Sequence, residues 1–358
     1  MPRKSSVTIR DLLLVSCHDF RLERSVFERW KGWVYKVLVP TLKKYQMIHL
    51  TYLHPIGIDY LYAKITDPEK WRMIRDKYFS ADTRYIKDLH SIPVHRYLGK
   101  LYLFGDKTAG ALYYAPRELK DEIAARLDTF YDEVHEARVY PVMNCLGKLY
   151  PEATIEDAED LGARMLTTLK NIPPYRSRNR FLDYMLIASL EVNPTITLKE
   201  LRKLIYPVRA RIEKQLKDSA ELSIKYVLRH YHALSKKHVL GRIFIVSQNV
   251  SLYPVLEVSK EALKTLYGLA TITLGSTSII VYDDYALGSI APKTLNEFGE
   301  LIMPINNYIE SVKIVVAWIR APIPFEMYNP ITDEWNLERP AIENLIKLVK
   351  KYRLARTS

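Results

Sequence analysis

Cysteine and glycine are scarce in this chain of 358 residues, and each shortage argues against a class of protein. Cys17 and Cys145 are too few for a disulfide framework; the two could pair, but we expect buried thiols in a reducing compartment. The 12 glycines form neither a GxGxxG motif nor a P-loop, which disfavours a phosphate-cradling loop. A nucleophile elbow and an HExxH motif are absent as well. The sequence therefore predicts no catalytic residues and no cofactor.

Long hydrophobic runs are lacking too. No apolar stretch reaches the roughly 20 residues that a transmembrane helix needs. The short stretch after Met1–Thr8 is interrupted by Asp11 and Asp19, so we expect no signal peptide and no membrane partner. With 48% apolar and 26% charged residues, the composition is typical of a globular protein. We expect a cytoplasmic protein of roughly two to four domains.

Positive charge is in excess and locally concentrated. The net charge is +12, and between residues 197 and 242 twelve Lys and Arg stand against four Asp and Glu. Binding to nucleic-acid phosphates requires a local basic patch of this kind rather than a diffusely basic chain. A solvated helix face is the simpler explanation of most lysine-rich helices. The predicted secondary structure around these charges distinguishes a nucleic-acid-binding patch from a solvated helix face.

The basic region has the pattern of a helix-turn-helix. Apolar spacing predicts a helix over Phe181–Leu190, which Asn193-Pro194 ends. Thr197 and Glu200 then have the spacing of a capping box and predict the start of a short second helix. Two helices joined in this way are typical of DNA-binding modules.

A third helix completes the pattern. Apolar spacing predicts it over Ser223–Lys237, and Gly241 leads into a strand over Arg242–Val246. We interpret 178–248 as a winged helix-turn-helix, whose last helix would lie in the major groove of double-stranded DNA. The segment Tyr206–Leu222 leaves two alternatives, because it is either an inserted helix or the beginning of the recognition helix.

The region after the winged helix predicts the order β-α-β-β-α-β. This ferredoxin-like arrangement gives a four-stranded sheet with both helices on one face. The predicted elements are a strand at 250–258, a helix at 260–267, strands at 270–274 and 278–282, a helix at 293–309 and a strand at 312–319. Asp283-Asp284 is typical of a hairpin tip.

A similar series occurs upstream and indicates an internal duplication. Its predicted elements are a strand at 57–65, a helix at 68–79, strand-like segments at 83–88, 100–104 and 111–114, a helix at 116–134 and a strand at 137–144. Each copy is followed by a final predicted helix, at 155–169 and at 340–352. Ahead of the first sheet, residues 7–50 have the pattern of a shortened winged helix.

The predicted fold class is therefore α+β, with winged helix-turn-helix domains combined with ferredoxin-like sheet domains. The predicted boundaries are 1–50 for a degenerate winged-helix segment, 51–148 for the first sheet domain with an insertion, 149–177 for a connecting helix and linker, 178–248 for the winged helix-turn-helix, 249–325 for the second sheet domain and 326–358 for a C-terminal helix.

A winged helix-turn-helix that leads directly into such a sheet domain resembles the Lrp/AsnC family of prokaryotic regulators, which is common in archaea. Asp183–Leu190 is similar to the first helix of that family, Thr197–Leu201 to its second, and Ser223–Ile243 to its recognition helix and wing. The resemblance covers about residues 178–320 and extends weakly to the first copy. It implies a transcriptional regulator whose sheet domains pair, as a homodimer or as a monomeric pseudo-dimer within one chain. It also implies that a small-molecule effector could bind at the sheet-domain interface.

Basic residues of the second and third helices are the candidate DNA contacts. Arg229 is the candidate guanine reader, and Arg242 on the wing could reach the minor groove. If the recognition helix begins earlier, the contacts move to Arg209, Arg211 and Lys214. The candidate DNA-binding residues are Lys199, Arg202, Lys203, Arg209, Arg211, Lys225, Tyr226, Arg229, His230, His232, Lys236, Lys237 and Arg242.

Two other kinds of function compete with DNA binding. The histidines and the many aromatic residues are compatible with a ligand-binding protein or a tetrapyrrole-type enzyme on the same scaffold, and the whole chain could serve as a protein-interaction adaptor. A metal site is disfavoured, since His230 and His232 point in different directions on a helix and no cysteine or carboxylate completes a tetrahedral set.

Overall fold

The computed structural model describes the chain between residues 6 and 338, except for 9–10, 13, 16–18, 23, 28–31, 45–46, 80–91, 143–153, 178, 202, 205–223, 237–238, 246–253, 274–276, 293 and 330–331. For 24, 78, 224–226 and 240–245 it describes the backbone alone. Helices and strands both contribute to the molecule, so the predicted α+β class is confirmed. Among the described helices, none is long and apolar enough to cross a bilayer.

The strands are β1 (Met47–Thr51), β2 (Ile58–Ile65), β3 (Leu98–Phe104), β4 (Ala109–Pro116), β5 (Glu133–Pro141), β6 (Leu240–Ile245), β7 (Pro254–Ser259), β8 (Ser278–Tyr282), β9 (Tyr285–Ser289), β10 (Ile309–Arg320), β11 (Tyr328–Asn329) and β12 (Glu334–Trp335). The helices are α1 (Val39–Leu42), α2 (Pro68–Tyr78), α3 (Lys120–Leu127), α4 (Ala158–Lys170), α5 (Arg180–Val192), α6 (within 198–204), α7 (Ile224–Lys236), α8 (Leu263–Thr273) and α9 (Leu295–Ile302).

One order of elements occurs twice along the chain. The first half runs β2-α2-β3-β4-α3-β5 and the second β7-α8-β8-β9-α9-β10. Adjacent strands follow the order β3-β4-β2-β5 in the first sheet and β8-β9-β7-β10 in the second. In both sheets, therefore, the first and third strands of the half lie in the middle.

The two sheets join at both edges and close one barrel of eight strands. Strand β5 pairs antiparallel with β8, with Ala137 opposite Tyr282. Strand β10 pairs antiparallel with β3, with Trp318 opposite Tyr102. Each half thus supplies the neighbour that the edge strands of the other half would lack.

Contacts between non-adjacent strands identify the inside of the barrel. The rings of Tyr62 on β2 and Tyr282 on β8 lie with their centroids 4.8 Å apart, although β5 separates these strands. Lys64 Nζ lies 3.1 Å from Glu257 Oε1 on β7, across the barrel. Side chains on the opposite face, such as Leu61, are buried beneath the helices. Alternation along β2 therefore separates a tyrosine-rich interior, which holds charged groups, from an outer face that packs against the helices.

Helix α4 packs against α8 at unusually close range. A Cβ added to Gly162 would lie 1.8 Å from the carbonyl oxygen of Lys264, and one added to Gly268 would lie 1.8 Å from that of Ala158. These contacts are with backbone atoms, which cannot move aside as a flexible side chain can. The two glycines therefore set the distance between the helices.

One predicted strand is wrong. Residues 270–273 continue helix α8 instead of forming the strand predicted at 270–274. Thr271 and Thr273 have the side-chain branching that favours strands, but their hydroxyls donate to the carbonyls four residues earlier, each at 2.8 Å, and packing against α4 stabilises the helix. The sequence analysis also missed β9, which forms a hairpin with β8 through the predicted Asp283-Asp284 turn.

Other predicted bounds shift, or lie outside the described residues. The helix predicted at 116–134 is the shorter α3, because its last part contributes to β5. The helix predicted at 293–309 ends as α9 at Ile302 and continues as a 3-10 helix. The strand predicted at 83–88 and the helix predicted at 340–352 lie outside the residues that the structure describes.

The glycine contact gives a test of the packing of α4 on α8. We expect Gly268→Ala to lower the free energy of unfolding by at least about 2 kcal/mol, because the new methyl group overlaps a carbonyl of the partner helix. Gly299→Ala is the matched control: it lies on α9 with nothing within 4 Å of an added Cβ. In that helix alanine should stabilise by roughly 0.5–1 kcal/mol. Urea unfolding of the three proteins measures both effects, and equal stabilities of wild type and Gly268→Ala would contradict the close contact.

Candidate nucleic-acid interface

Helix α5 begins and ends at side chains that bond to the backbone. The side-chain oxygen of Asn179 accepts a hydrogen bond from the backbone NH of Leu182 at 3.0 Å and caps the first turn. At the other end, the side chain of Asn193 accepts bonds from the backbone NH and the hydroxyl of Thr195, at 3.2 and 2.8 Å. The chain therefore leaves α5 in a fixed turn.

The predicted capping box at the start of α6 is confirmed. The backbone NH of Thr197 donates to Glu200 Oε2 at 2.8 Å, and the backbone NH of Glu200 donates to Thr197 Oγ1 at 3.2 Å. Leu201 is fully buried, which fixes the face that α6 turns inward. Lys199 and Lys203 consequently lie exposed on the opposite face.

Helix α7 has one buried and one exposed basic face. Tyr231 and Leu234 are fully buried and Val227 nearly so, at the spacing of one helix face. Arg229, His232 and Lys236 are exposed. The helix therefore holds a row of basic and polar side chains at the surface while the other face anchors it to the core.

A two-stranded ribbon follows α7, and its second strand comes from far along the chain. Strand β6 pairs antiparallel with β1, with Met47 opposite Ile245 and His49 opposite Ile243. The strand predicted at 242–246 is therefore present, at slightly earlier bounds. The sequence analysis missed its partner, because β1 belongs to the segment that precedes the first sheet.

The structure exposes part of the predicted DNA-binding set. The predicted contacts that are exposed on α6 and α7 are Lys199, Lys203, Arg229, His232 and Lys236. Only the backbone is described for Lys225, Tyr226 and Arg242. Outside the described residues lie Arg202, Arg209, Arg211 and Lys237, together with the segment Tyr206–Leu222 and its two alternatives.

His230 is a correction to the predicted set, because its side chain is buried and only 6% exposed. Its Nδ1 lies 2.6 Å from Asp183 Oδ1 on α5, and the hydroxyl of Ser177 donates to the other oxygen of Asp183. On a helix His230 falls between the exposed and buried faces, and the buried carboxylate of Asp183 draws it inward. It therefore ties α7 to α5 and is not a surface contact.

Arg21 is a basic residue of the N-terminal segment that the sequence analysis did not single out. Its Nε donates to the carbonyl of Ile196 at 2.7 Å and a terminal NH donates to that of Pro194, both in the turn between α5 and α6. Asp19 accepts a bond from the hydroxyl of Tyr231 on α7. Burial raises the pKa of Asp19, but Arg21 and the Tyr231 hydroxyl outweigh it and hold that pKa below its usual value. The N-terminal segment thus secures all three helices.

Glu191 joins this three-helix unit to the barrel. Its buried carboxylate accepts hydrogen bonds from the hydroxyl of Thr51, the last residue of β1, at 2.6 Å, and from the backbone NH of Ile323, beyond β10, at 2.8 Å. Arg320 lies 3.9 Å from the same carboxylate. The last turn of α5 is therefore bonded both to the β1-β6 ribbon and to the segment that follows the barrel strand β10.

The barrel interior is a second candidate site, because it holds charged groups from both sheets. Lys64 and Glu257 form an ion pair there, and the hydroxyls of Tyr282 and Ser311 donate to Glu257. Burial raises the pKa of Glu257, but these donors and Lys64 lower it overall. At the other end, Lys100 Nζ donates to Ser278 Oγ at 2.8 Å. This interior is the sheet-domain interface at which an effector was expected.

Lys100 gives a prediction about pH. Burial, aided by Arg320, lowers the pKa of Lys100 to about 7. Between that value and the ordinary pKa of lysine the unfolded chain binds the extra proton, so stability rises as the pH increases from about 7 to about 10. We expect the free energy of unfolding of wild type to gain about 3 kcal/mol relative to Lys100→Met between pH 7 and 9.5, since one pKa unit corresponds to about 1.4 kcal/mol.

Chemical unfolding at several pH values measures this difference. Lys170→Met is the control, because Lys170 is exposed at the end of α4 and should leave the pH profile unchanged. A Lys100→Met profile parallel to wild type would show that Lys100 stays charged in the folded protein.

Comparison with protein-family models, with curated proteins and with solved structures finds no match to this chain.

Proposed function

We propose that this chain is a DNA-binding transcriptional regulator of the Lrp/AsnC type, with α5, α6 and α7 as its winged helix-turn-helix. In this proposal the two β-α-β-β-α-β halves are ferredoxin-like domains that arose by duplication. A monomer then holds the pair of sheet domains that separate chains would otherwise supply.

The observation that carries the proposal is the exposed basic face of α7. Arg229, His232 and Lys236 lie at spacings of three and four residues on a helix whose other face is buried. A helix held in this way can enter the major groove, which accommodates one α-helix, without unfolding any of its support. Lys199 and Lys203 are exposed on the preceding helix α6, and in this proposal they would contact backbone phosphates.

Hydrogen bonds among α5, α6, α7 and the N-terminal segment favour a rigid DNA-binding surface. The turn between α5 and α6 is bonded to Arg21, and α7 is bonded to α5 through His230 and Asp183. A DNA-binding surface whose side chains are fixed before binding loses less conformational entropy on association. This supports sequence-specific recognition over diffuse attraction to polyanions.

The two halves of the chain would contribute unequally to DNA binding. The segment before β1 contains, among its described residues, a 3-10 helix at Arg24–Phe27, a π-helix at Val34–Leu38 and the short α1. These elements are four or five residues long, whereas α5 and α7 have 13 residues each. We therefore propose that one winged helix-turn-helix reads DNA and that the target is not a simple palindrome.

Charge removal on α7 tests the proposal. We expect Arg229→Gln combined with Lys236→Gln to weaken binding to duplex DNA about tenfold or more at low salt. The dependence of log affinity on log salt should also become shallower by about 1 to 2 units, because each lost phosphate contact removes roughly 0.9 from that slope. Fluorescence anisotropy at several salt concentrations measures both quantities.

Arg164→Gln combined with Lys170→Gln is the matched control. Both side chains are exposed on α4, and the pair removes the same charge from a helix that the proposal leaves away from DNA. Equal losses in the two double variants would mean that net charge alone drives binding. Absence of duplex binding by wild type at low salt would refute the proposal.

A further inference from the structure

A compact cluster of basic side chains lies outside the surfaces described so far. It is built by the 3-10 turn that joins β1 to β2, by the start of β2, by the end of β4 and by the outer face of β5. The members are His54, Asp59, Arg117 and Arg138, and the buried Tyr52 and Tyr140 lie beneath them.

Two guanidinium groups converge on one imidazole. Arg138 Nη2 lies 2.6 Å from His54 Nε2, and Arg117 Nη2 lies 3.3 Å from His54 Nδ1. Arg138 donates to Nε2, so this nitrogen is the unprotonated one of a neutral ring, and Nδ1–H donates to Asp59 Oδ1 at 2.5 Å. The imidazole orientation is therefore fixed on both sides.

The cluster holds more positive than negative charge. Asp59 is its one carboxylate, and it accepts from both His54 and Arg117, whose Nε lies 3.2 Å from Asp59 Oδ2. Burial raises the pKa of Asp59, but these two donors lower it overall, so the carboxylate is charged. One carboxylate against two guanidinium groups leaves an excess of one positive charge at a surface where Arg117 is 49% exposed.

A simple surface ion pair does not explain this arrangement. Arg117 and Asp59 alone would form an ordinary pair, worth about 0–1 kcal/mol. Arg138 brings a second cation to the same imidazole, with its Nη2 2.6 Å from His54 Nε2. Bringing like charges together is unfavourable unless an anion lies between them.

The other half of the molecule shows that the barrel does not require these charges. Strand β10 occupies in the second half the place of β5 in the first, as the last strand of its sheet. The exposed residues along β10 include Val312, Ile314 and Val316, whereas β5 exposes Glu136 and Arg138. The basic cluster is therefore a property of the first half and not of the strand's position.

The geometry points to a phosphate-binding site formed by Arg117 and Arg138, with His54 and Asp59 as positioning residues. A guanidinium group has five donors in a planar fork that matches two oxygens of a phosphate. Within the described part of the chain, Nη1 of Arg117 has no hydrogen-bond partner, so this donor can face a ligand. Two such forks around one phosphate would neutralise the excess charge.

The phosphate could belong to the DNA backbone or to a free phosphorylated small molecule, and the chemistry of recognition is shared. The site does not depend on the regulator proposal, since none of its residues belongs to α5, α6 or α7. Failure of one proposal therefore leaves the other intact.

Binding of inorganic phosphate tests the site. We expect saturable binding by wild type, followed by the phosphorus resonance and by a rise in the thermal unfolding midpoint. In Arg117→Gln combined with Arg138→Gln the affinity should fall at least tenfold and the midpoint should no longer respond to phosphate. The thermal unfolding curve itself shows whether the variant is folded.

Arg126→Gln is the control, because Arg126 is also 49% exposed and paired with a single carboxylate, that of Glu122. It should bind phosphate as wild type does. Absence of binding by wild type, or equal affinities of wild type and the folded double variant, would overturn the site. If the site holds, duplex affinity identifies the source: a loss in the double variant assigns the site to the DNA backbone, and an unchanged affinity assigns it to a small molecule.

Discussion

Closure of the barrel is the constraint on which the rest of the structure depends. Strand β5 pairs with β2 over its first part and with β8 over its second, and Ala137 is opposite a residue of each. Strand β10 pairs with β7 over its first part and with β3 over its second. Because an unpaired strand edge exposes backbone donors and acceptors, neither sheet is complete without the other. Two sequentially separate halves therefore contribute their strands to one closed barrel.

Local patterns in the sequence predicted local structure well. The capping box at Thr197, the hairpin at Asp283-Asp284 and the helices α5 and α7 all depend on residues that are close in the chain. What the sequence could not predict depends on distant partners. Residues 270–273 are helical because α4 packs on them, and β1 has its partner in β6. His230 is buried because Asp183 lies on another helix, which no spacing within α7 indicates.

The two halves have the same order of elements, but their surfaces differ. In the second half α8 is covered by α4 through the contact of Gly162 and Gly268. The counterpart of α8 in the first half is α2, whose Arg72, Arg75 and Lys77 are exposed. The outer faces of β5 and β10 differ in the same way, one charged and the other apolar. One barrel therefore presents different surfaces on its two sides, although the order of elements in the two halves is the same.

Hydrogen bonds to Glu191 couple the position of α5 to that of the barrel. Its two carboxylate oxygens accept from different segments, Thr51 on one side and Ile323 on the other. A shift of β10 relative to β1 must either rotate the last turn of α5 or leave a buried carboxylate oxygen without its donor, which costs about 1–3 kcal/mol. Rotation of the last turn of α5 keeps both hydrogen bonds and so avoids this cost. A molecule that widened the barrel would therefore turn α5, and with it the helices that α5 carries, so that two hydrogen bonds act as a linkage between the inside of the barrel and the outer helical surface.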